Sequence, residues 1–253
     1  IYVHIPFCTV KCMYCDFYSI TEREDSIDRF INAIIKEIEV WDVDFSHWTI
    51  DTIFFGGGTS SLLKGYQIDK IISALSKKYD LSSLIEFTIE VNPGETTIED
   101  LKLYKQYGVN RLSIGVQSFQ PNLLRFLSRN HGRKEIFETY NNARAIGYEN
   151  INLDLIHSLP KQTLEIWGKD LKEVINLQPE HISAYGLTIE KGTKLFTMVK
   201  DKIIHMPDND LNARFYQNTL ENLTAFGYEL YEISNFSKPG LQCKHNIHYW
   251  DIE

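Results

Sequence analysis

The sequence predicts an α/β fold in which helices cover a parallel β-sheet. Its 253 residues are 43% hydrophobic and 24% charged, which is ordinary for a globular protein and argues against a disordered, collagen-like or coiled-coil chain. Six short apolar runs alternate with amphipathic stretches of helical period. Such an alternation is typical of a parallel sheet that is either doubly wound or curled into a barrel. The length allows one or two domains.

Each element follows from a local pattern. The predicted strands lie at 1–5, 50–55, 85–91, 111–115, 151–156 and 182–187. Apolar residues recur every three or four positions at 27–38 and 164–175, which predicts helices there. Weaker helical patterns lie at 67–78, 97–107, 121–128, 133–146 and 209–225. Beyond residue 227 the pattern changes, and residues 228–236 predict one further strand before a turn at Lys238-Pro239-Gly240.

The charge balance narrows the class of ligand. Lys and Arg number 26 against 34 Asp and Glu, which leaves a net charge of −8 and no basic cluster for duplex nucleic acid. We therefore expect ions and small molecules as ligands. No run approaches the ~18 apolar residues of an integral membrane segment, and no basic leader of a signal peptide opens the chain. We expect a cytoplasmic protein, and a piece of a longer chain because no initiator Met is present.

Three of the four cysteines, Cys8, Cys12 and Cys15, lie within eight residues. A disulfide framework is not expected in a chain of this length without a secretory signal. Thiolates at this spacing can hold a soft metal centre, and three of them leave one iron of a [4Fe–4S] cluster free for another ligand. Zinc and purely structural thiols are the alternatives, but a closed zinc site needs a fourth ligand. The residues that could supply it by folding back are His4, Asp16, Cys243 and His245.

Polar and glycine residues follow the ends of the first five predicted strands. The cysteines follow the first strand, residues 56–59 (Gly-Gly-Gly-Thr) the second, and Glu90, Gln117 and Asp154 lie at or near the ends of the next three. Ligands of parallel α/β folds bind at the carboxyl ends of the strands, so we expect one site there. The alternatives are a tight glycine turn, a capping or salt-bridged Glu90, and a solvated Arg129. A bound amino group would suit Glu90, a ribose Asp154, and a carboxylate Arg129.

The motif that begins at Tyr2 and contains the three cysteines resembles the opening of radical S-adenosylmethionine (SAM) enzymes. Further stretches are similar to the oxygen-independent coproporphyrinogen III oxidase group of that superfamily: IGVQSF at 114–119, DLIHSLPKQT at 154–163 and HISAY at 181–185. The resemblance implies a partial (β/α)6 TIM-type barrel over 1–227. It also implies a short C-terminal α/β extension over 228–253, with the C-terminal domain of the group missing.

The resemblance also implies roles for single residues. Cys8, Cys12 and Cys15 would hold a [4Fe–4S] cluster whose fourth iron is chelated by SAM. The residues that would line SAM are Tyr2, Tyr14, Gly57, Gly58 and Thr59. Glu90 would meet its amino group and Arg129 its carboxylate. Its ribose would meet Gln117 and Asp154. A one-electron donor such as a flavodoxin or ferredoxin is an implied partner, and whether SAM is cleaved is left open.

Two features resemble the haem-chaperone branch of the group rather than the decarboxylating oxidase, which remains the alternative. Phe17 stands where the oxidase branch carries a further cysteine, and His245-Asn246-x-x-Tyr249-Trp250 ends the chain as a segment associated with haem in that branch. The resemblance therefore implies haem as cargo and a haem-acceptor protein as partner. His245 is the first candidate ligand, or else it serves buried backbone groups. Further candidates are Cys243 and His248 as ligands and Tyr249, Trp250 and Phe236 as cover for the macrocycle.

Overall fold

The computed structural model describes residues 1–42 and 47–251. Its strands are β1 Tyr2–Ile5, β2 Phe7–Cys8, β3 Ile20–Thr21, β4 Thr52–Gly57, β5 Glu86–Val91, β6 Arg111–Gln117, β7 Asn150–His157, β8 His181–Gly186, β9 Glu229–Leu230 and β10 Asn235–Ser237. Its helices are α1 Ile27–Val40, α2 Gly65–Lys78, α3 Ile98–Gln106, α4 Pro121–Phe126, α5 Arg133–Ile146, α6 Leu164–Leu177, α7 Lys194–Lys200, α8 Asn209–Ala225 and α9 Lys244–Asp251.

One eight-stranded sheet organises the described residues, in the order β1-β4-β5-β6-β7-β8-β10-β9. The pairs from β1 to β8 are all parallel, whereas β10 pairs antiparallel with β8 and with β9. Within 1–42 and 47–251 the two end strands, β1 and β9, do not pair with each other, so the sheet stays open. This topology confirms the predicted α/β fold and its partial barrel.

The two faces of the sheet differ in polarity because successive strand residues point to opposite faces. Ile53, Phe87, Leu112 and Leu153 represent the face that packs against the helices, and all four are fully buried. The neighbouring positions carry polar side chains instead. These are Thr52, Glu86, Thr88, Glu90, Arg111, Ser113, Asn152, Asp154, His181 and Ser183, and the strand register places them side by side. The concave face of the open barrel is therefore polar.

The helices begin at the residues that local capping favours. Thr97, Thr163 and Asp208 precede α3, α6 and α8, and each side chain accepts a hydrogen bond from a backbone N–H of the first turn. Gly147 ends α5 with a φ of 90°, in the left-handed region that glycine adopts readily. All seven predicted helices are confirmed. Helices α7 and α9 were not predicted, because neither segment has a clear apolar period.

The end of the chain corrects one prediction. Residues 228–236 are not a single strand: β9 and β10 form a small antiparallel ribbon, and the Glu232 carboxylate accepts a hydrogen bond from Ser234 N between them. A turn follows at Lys238, where Leu241 N donates to the Lys238 carbonyl, as predicted. The division of the chain at residue 227 stays a prediction. The last two residues of the predicted extension, 252 and 253, lie outside the described residues. No helix in the described ranges is long and apolar enough to cross a membrane.

Candidate functional site

A cavity of about 890 Å³ opens on the concave face and at the carboxyl ends of the parallel strands. That volume suits a ligand of cofactor size. The structure brings most of the predicted site residues to its wall: Cys8, Cys12, Tyr14, Cys15, Gly57, Gly58, Thr59, Glu90, Gln117, Arg129 and Asp154. Tyr2 and His245 do not line it. Their rings instead stack with Phe54, which does, at centroid distances of 6.1 and 5.2 Å.

The cysteine loop runs between β2 and β3 and is held from both sides. Cys15 N donates to the Cys12 carbonyl at 3.2 Å, and Leu195 N, in α7, donates to the Met13 carbonyl at 2.9 Å. Tyr14 packs against a small apolar cluster that includes Leu159. These contacts fix the loop beside the cavity while its thiols stay partly exposed.

The three thiols are not arranged for one bare metal ion. Across residues 1–42 and 47–251, no group of three or more His, Cys, Asp or Glu side chains is placed to hold a single ion. Burial raises the pKa of Cys12 and of Cys15. Both thiols are therefore protonated at neutral pH in the unliganded chain, and any metal centre bound there displaces their protons.

The glycine loop after β4 approaches the cysteine loop closely. Gly58 N donates to the Ile5 carbonyl at 2.8 Å, and Thr59 N donates to the Phe7 carbonyl at 2.7 Å. A Cβ atom at Gly58 would lie 2.6 Å from the Phe7 carbonyl oxygen and 3.0 Å from Cys8 Sγ. Only glycine allows this approach, so the turn is more than a generic connection.

Glu90 is a partly buried carboxyl group without a cation of its own. Gly57 N donates to its Oε2 at 3.1 Å, while no ion pair within 4 Å involves Glu90 in the described part of the chain. Burial, and then the charge of Asp154, raises the pKa of Glu90 to about 8. The side chain is thus prepared for a positively charged ligand group, which would favour its ionised form. The capping and salt-bridge alternatives have no support in these contacts.

Arg129 is also incompletely paired, and it is not the solvated surface residue of the alternative. Its Nη1 donates to Asn92 Oδ1 at 2.9 Å, and its buried Nε has no acceptor among the described residues. Gln117, close by, has a φ of 65° at the point where the β6–β7 register shifts. A non-glycine residue in this conformation is uncommon and is often found at functional sites.

Asp154 also lines the cavity and is well supplied with donors. Asn152 Nδ2 donates to it at 2.7 Å and Ser113 Oγ at 3.3 Å. Burial raises its pKa. Three further residues line the cavity that were not among the predicted site residues: Asn152, Ser113 and Arg111. The available signal was a polar residue at every second position of otherwise apolar strands.

The segment at the C-terminal end of the described chain lies beside the open edge of the barrel. His245 Nδ1 pairs with Thr52 Oγ1 at 3.0 Å, and its backbone N–H donates to Glu86 at 3.1 Å. Burial lowers the pKa of His245 to about 4, which keeps the imidazole neutral at pH 7.

The other haem-contact candidates differ in accessibility. Cys243 is buried, with its pKa raised to about 11 by burial, and His248 Nε2 pairs with Asp51 at 2.9 Å. Tyr249 and Trp250 are 77% and 56% exposed and so can contact a ligand. Phe236, in β10, is fully buried, so the expectation that it covers a macrocycle is wrong.

Comparison with known proteins identifies the family to which this chain is similar. Residues 2–174 match the radical SAM superfamily. The chain is 38% identical to the heme chaperone HemW of Bacillus subtilis over 253 residues, covering 100% of this chain and 67% of that protein. It is 38% identical to HemW of Escherichia coli over 252 residues, covering 99% of this chain and 65% of the relative. The chain thus spans about two thirds of the length of these relatives.

Among solved structures, coproporphyrinogen III oxidase (HemN) from Escherichia coli, a radical SAM enzyme, superimposes with a TM-score of 0.83 at 29% identity. The match covers 99% of this chain and 57% of that one. It extends over the cysteine loop, the cavity and the last strands, so the likeness is not confined to the superfamily motif. The chain belongs to the radical SAM superfamily and, within it, to the HemW family.

Proposed function

We propose that this chain is the cofactor-binding part of a haem chaperone, in which a [4Fe–4S] cluster and SAM occupy the cavity and haem is held beside α9. The observation that carries the proposal is the meeting of the three-thiol loop with a cavity that contains Glu90 and Arg129. Each of these two side chains lacks a partner that a zwitterionic amino acid would supply.

The cysteine loop fits a cluster with one open iron. Cys8, Cys12 and Cys15 would hold three irons, and Gly57, Gly58 and Thr59 would line the side on which the fourth iron accepts SAM. When bound, these cofactors supply the one-electron chemistry of the superfamily. The chain's own task is to hold them and to exclude water and oxygen.

The cavity wall fits the three polar parts of SAM. Glu90 would accept hydrogen bonds from the amino group, and the Arg129 guanidinium group, which lines the cavity, would donate to the carboxylate. Gln117 and Asp154 would meet the ribose hydroxyls. Tyr14 would lie along the cavity wall, and Tyr2 would act through its stacking on Phe54 rather than by direct contact.

His245 has the chemistry of a haem ligand. A neutral imidazole is the form that binds iron, and a hydrogen bond from Nδ1–H to Thr52 would leave Nε2 available. Tyr249 and Trp250 offer exposed aromatic surface on the same helix. The heme chaperones among the relatives support haem as cargo and a haem-acceptor protein as partner. A one-electron donor and a cytoplasmic location complete the proposal.

Coproporphyrinogen III oxidation is the second candidate, favoured by the overall likeness to HemN. Phe17 counts against this candidate, because the oxidase branch of the group carries a further cysteine at that position. Turnover of coproporphyrinogen III by the reconstituted protein would support this candidate and contradict the first.

The test is anaerobic reconstitution with iron and sulfide, followed by separate titrations with SAM and haem. We expect about four irons and four sulfides per chain, SAM binding by calorimetry, and a haem absorbance spectrum that changes in His245→Ala. The matched control, His205→Ala, removes an exposed histidine and should keep the wild-type spectrum. Stoichiometric zinc without sulfide would contradict the proposed [4Fe–4S] cluster. Identical haem spectra for wild type and His245→Ala would contradict the assignment of His245 as the haem ligand.

A further inference from the structure

A line of hydrogen bonds crosses the concave face from the cavity to the start of α9. Cys243 N lies 3.4 Å from Tyr231 Oη, and Tyr231 Oη lies 2.7 Å from His181 Nε2. His181 Nδ1 lies 2.6 Å from Asn152 Oδ1, and Asn152 Nδ2 lies 2.7 Å from the Asp154 carboxylate. None of these residues except Asp154 has a role in the proposed function.

The partners fix the direction of every bond. The Asn152 amide nitrogen can only donate, so Asp154 Oδ1 accepts from it and the Asn152 oxygen is left as an acceptor. His181 Nδ1 must then carry its proton, and its neutral Nε2 accepts from the Tyr231 hydroxyl. The Tyr231 oxygen in turn accepts from Cys243 N–H. Each donor therefore points toward Asp154, an arrangement in which neighbouring bonds strengthen one another.

The far end of the line joins the first turn of α9. The Glu86 carboxylate accepts from Lys244 N at 3.1 Å, from His245 N at 3.1 Å and from Cys243 Sγ at 3.4 Å. These donors are backbone or thiol groups of the segment that begins at Cys243. Because Cys243 N also donates to Tyr231 Oη, the line of hydrogen bonds ends on the same segment that Glu86 holds.

His181 is the central link and has no other evident purpose. It is fully buried, and Asn152 is only 2% exposed. Ser183 Oγ donates at 3.1 Å to the same Asn152 oxygen, and no described carboxylate is bonded to the imidazole. If this position required only volume, an apolar side chain would fill it at no cost in hydrogen bonds. We therefore attribute the choice of histidine to its two hydrogen bonds.

We propose that His181 is a positioning residue that acts through Asn152 on the Asp154 carboxylate and through Tyr231 on the first turn of α9. The inference rests on the proposed function, since Asp154 would meet the ribose of SAM and α9 carries His245. A ligand hydroxyl that donates to Asp154 competes with Asn152 for the carboxylate and so changes the strength of the hydrogen bond from Asn152 Nδ2. The change passes along the oriented bonds to the α9 amides.

The experiment measures amide hydrogen exchange over 243–247 in the reconstituted protein, with and without SAM. In the wild type, SAM should slow exchange there by about fivefold or more. His181→Leu should abolish that slowing and weaken SAM binding by about tenfold, because both hydrogen bonds are lost. His181→Gln can still donate to Asn152 and accept from Tyr231, so it should restore both properties.

His157→Leu is the matched control, because this second buried histidine packs against Trp167 and Phe215, away from the line. It should leave the SAM effect on 243–247 unchanged. Asp154→Asn tests the same link without any ligand. As a single substitution it should alter amide hydrogen exchange at 243–247, whereas adding it to His181→Leu should not.

Equal SAM effects in wild type and His181→Leu, or a Gln variant as defective as the Leu variant, would overturn the inference. If SAM fails to bind the wild type, the proposed function fails. The Asp154→Asn comparison still decides the inference, which is refuted if exchange over 243–247 does not respond or responds equally in both backgrounds.

Discussion

At the scale of single residues, the cavity is defined by groups that the chain leaves incompletely paired. Burying a carboxyl group or a guanidinium group without a partner is costly, and such groups usually shift their pKa or acquire a ligand. Glu90 shows the first response, because its pKa rises to about 8. Arg129 keeps a buried Nε without an acceptor among the described residues. A ligand that carries an ammonium and a carboxylate would give Glu90 a cationic partner and the Arg129 guanidinium group an anionic one.

The raised pKa of Glu90 predicts proton release on SAM binding. At pH 7 the free side chain is mostly protonated, and a nearby ammonium group favours its ionised form, so the pKa falls on binding. We expect up to about one proton released per SAM and an affinity that increases from pH 6 to 8. Calorimetry in buffers of different ionisation enthalpy measures the release.

Glu90→Gln should bind SAM more weakly and release no proton, whereas Glu99→Gln, at an exposed position of α3, should behave as the wild type. Proton release from Glu90→Gln equal to that of the wild type would assign it to another group.

The close approach at Gly58 predicts a selective loss of the metal centre. A Cβ there would meet two backbone carbonyls and Cys8 Sγ, so Gly58→Ala must displace the cysteine loop. We expect lower iron and sulfide content after reconstitution. Gly168→Ala is the matched control, because a Cβ there meets nothing within 4 Å and alanine favours the interior of α6 by ~1 kcal/mol. That variant should keep full iron and gain thermal stability; equal iron in both would contradict the role of Gly58.

At the scale of elements, local sequence patterns sufficed for helices whose apolar period and capping residues lie within or next to the helix itself. The apolar period of α1 and the capping threonines of α3 and α6 are visible in the sequence, and these helices form where expected. Helix α9 could not be found in this way, because its first turn is held by Glu86, more than 150 residues earlier in the chain. The break between β9 and β10 likewise depends on pairing with β8.

The loop after β6 depends on one carboxylate of α6, which predicts a double effect of its removal. Asp170 is fully buried and accepts from Ser118 Oγ at 2.6 Å, Phe119 N at 3.0 Å and Gln120 Nε2 at 2.9 Å. Asp170→Asn would turn an amide donor toward one of these donors. We expect a loss of about 2–3 kcal/mol in the free energy of unfolding, measured with denaturant.

Because this loop directly follows Gln117, the Asp170→Asn variant should also bind SAM more weakly. Asp201→Asn, at an exposed site after α7, should change neither quantity. Unchanged SAM affinity in Asp170→Asn would separate the loop from the placement of Gln117.

At the scale of the whole molecule, the open sheet turns a polar face inward. The alternation of polar and apolar residues along the strands is evident in the sequence, but alternation alone cannot tell a buried polar face from a solvated one. The distinction depends on β10, which extends the sheet beside β8, and on α9, which contacts β4, and both lie far along the chain from those strands. The candidate site was therefore predictable at the strand ends and by resemblance at Cys8, Glu90 and Asp154. The supporting residues Asn152 and His181 were not.

His157, which is buried against the helices, predicts acid sensitivity of the whole fold. Burial lowers the pKa of His157 to about 4, well below its ordinary value of 6.5. The unfolded chain therefore takes up a proton between pH 6.5 and 4 that the folded chain does not. The contribution to stability is complete above pH 6.5 and decreases as the pH falls through that window. Glu90 acts in the opposite direction, because its raised pKa favours the folded state as the pH falls from about 8.

His157→Gln isolates the histidine term, since glutamine does not titrate. Measured by urea unfolding at several pH values, the wild type should lose up to about 3 kcal/mol relative to the variant between pH 7 and pH 4. The control is His205→Gln, an exposed site that should leave the pH dependence of the wild type intact. Parallel pH profiles for wild type and His157→Gln would mean that the imidazole titrates normally in the folded protein. The packing against Trp167 and Phe215 would then not keep it neutral.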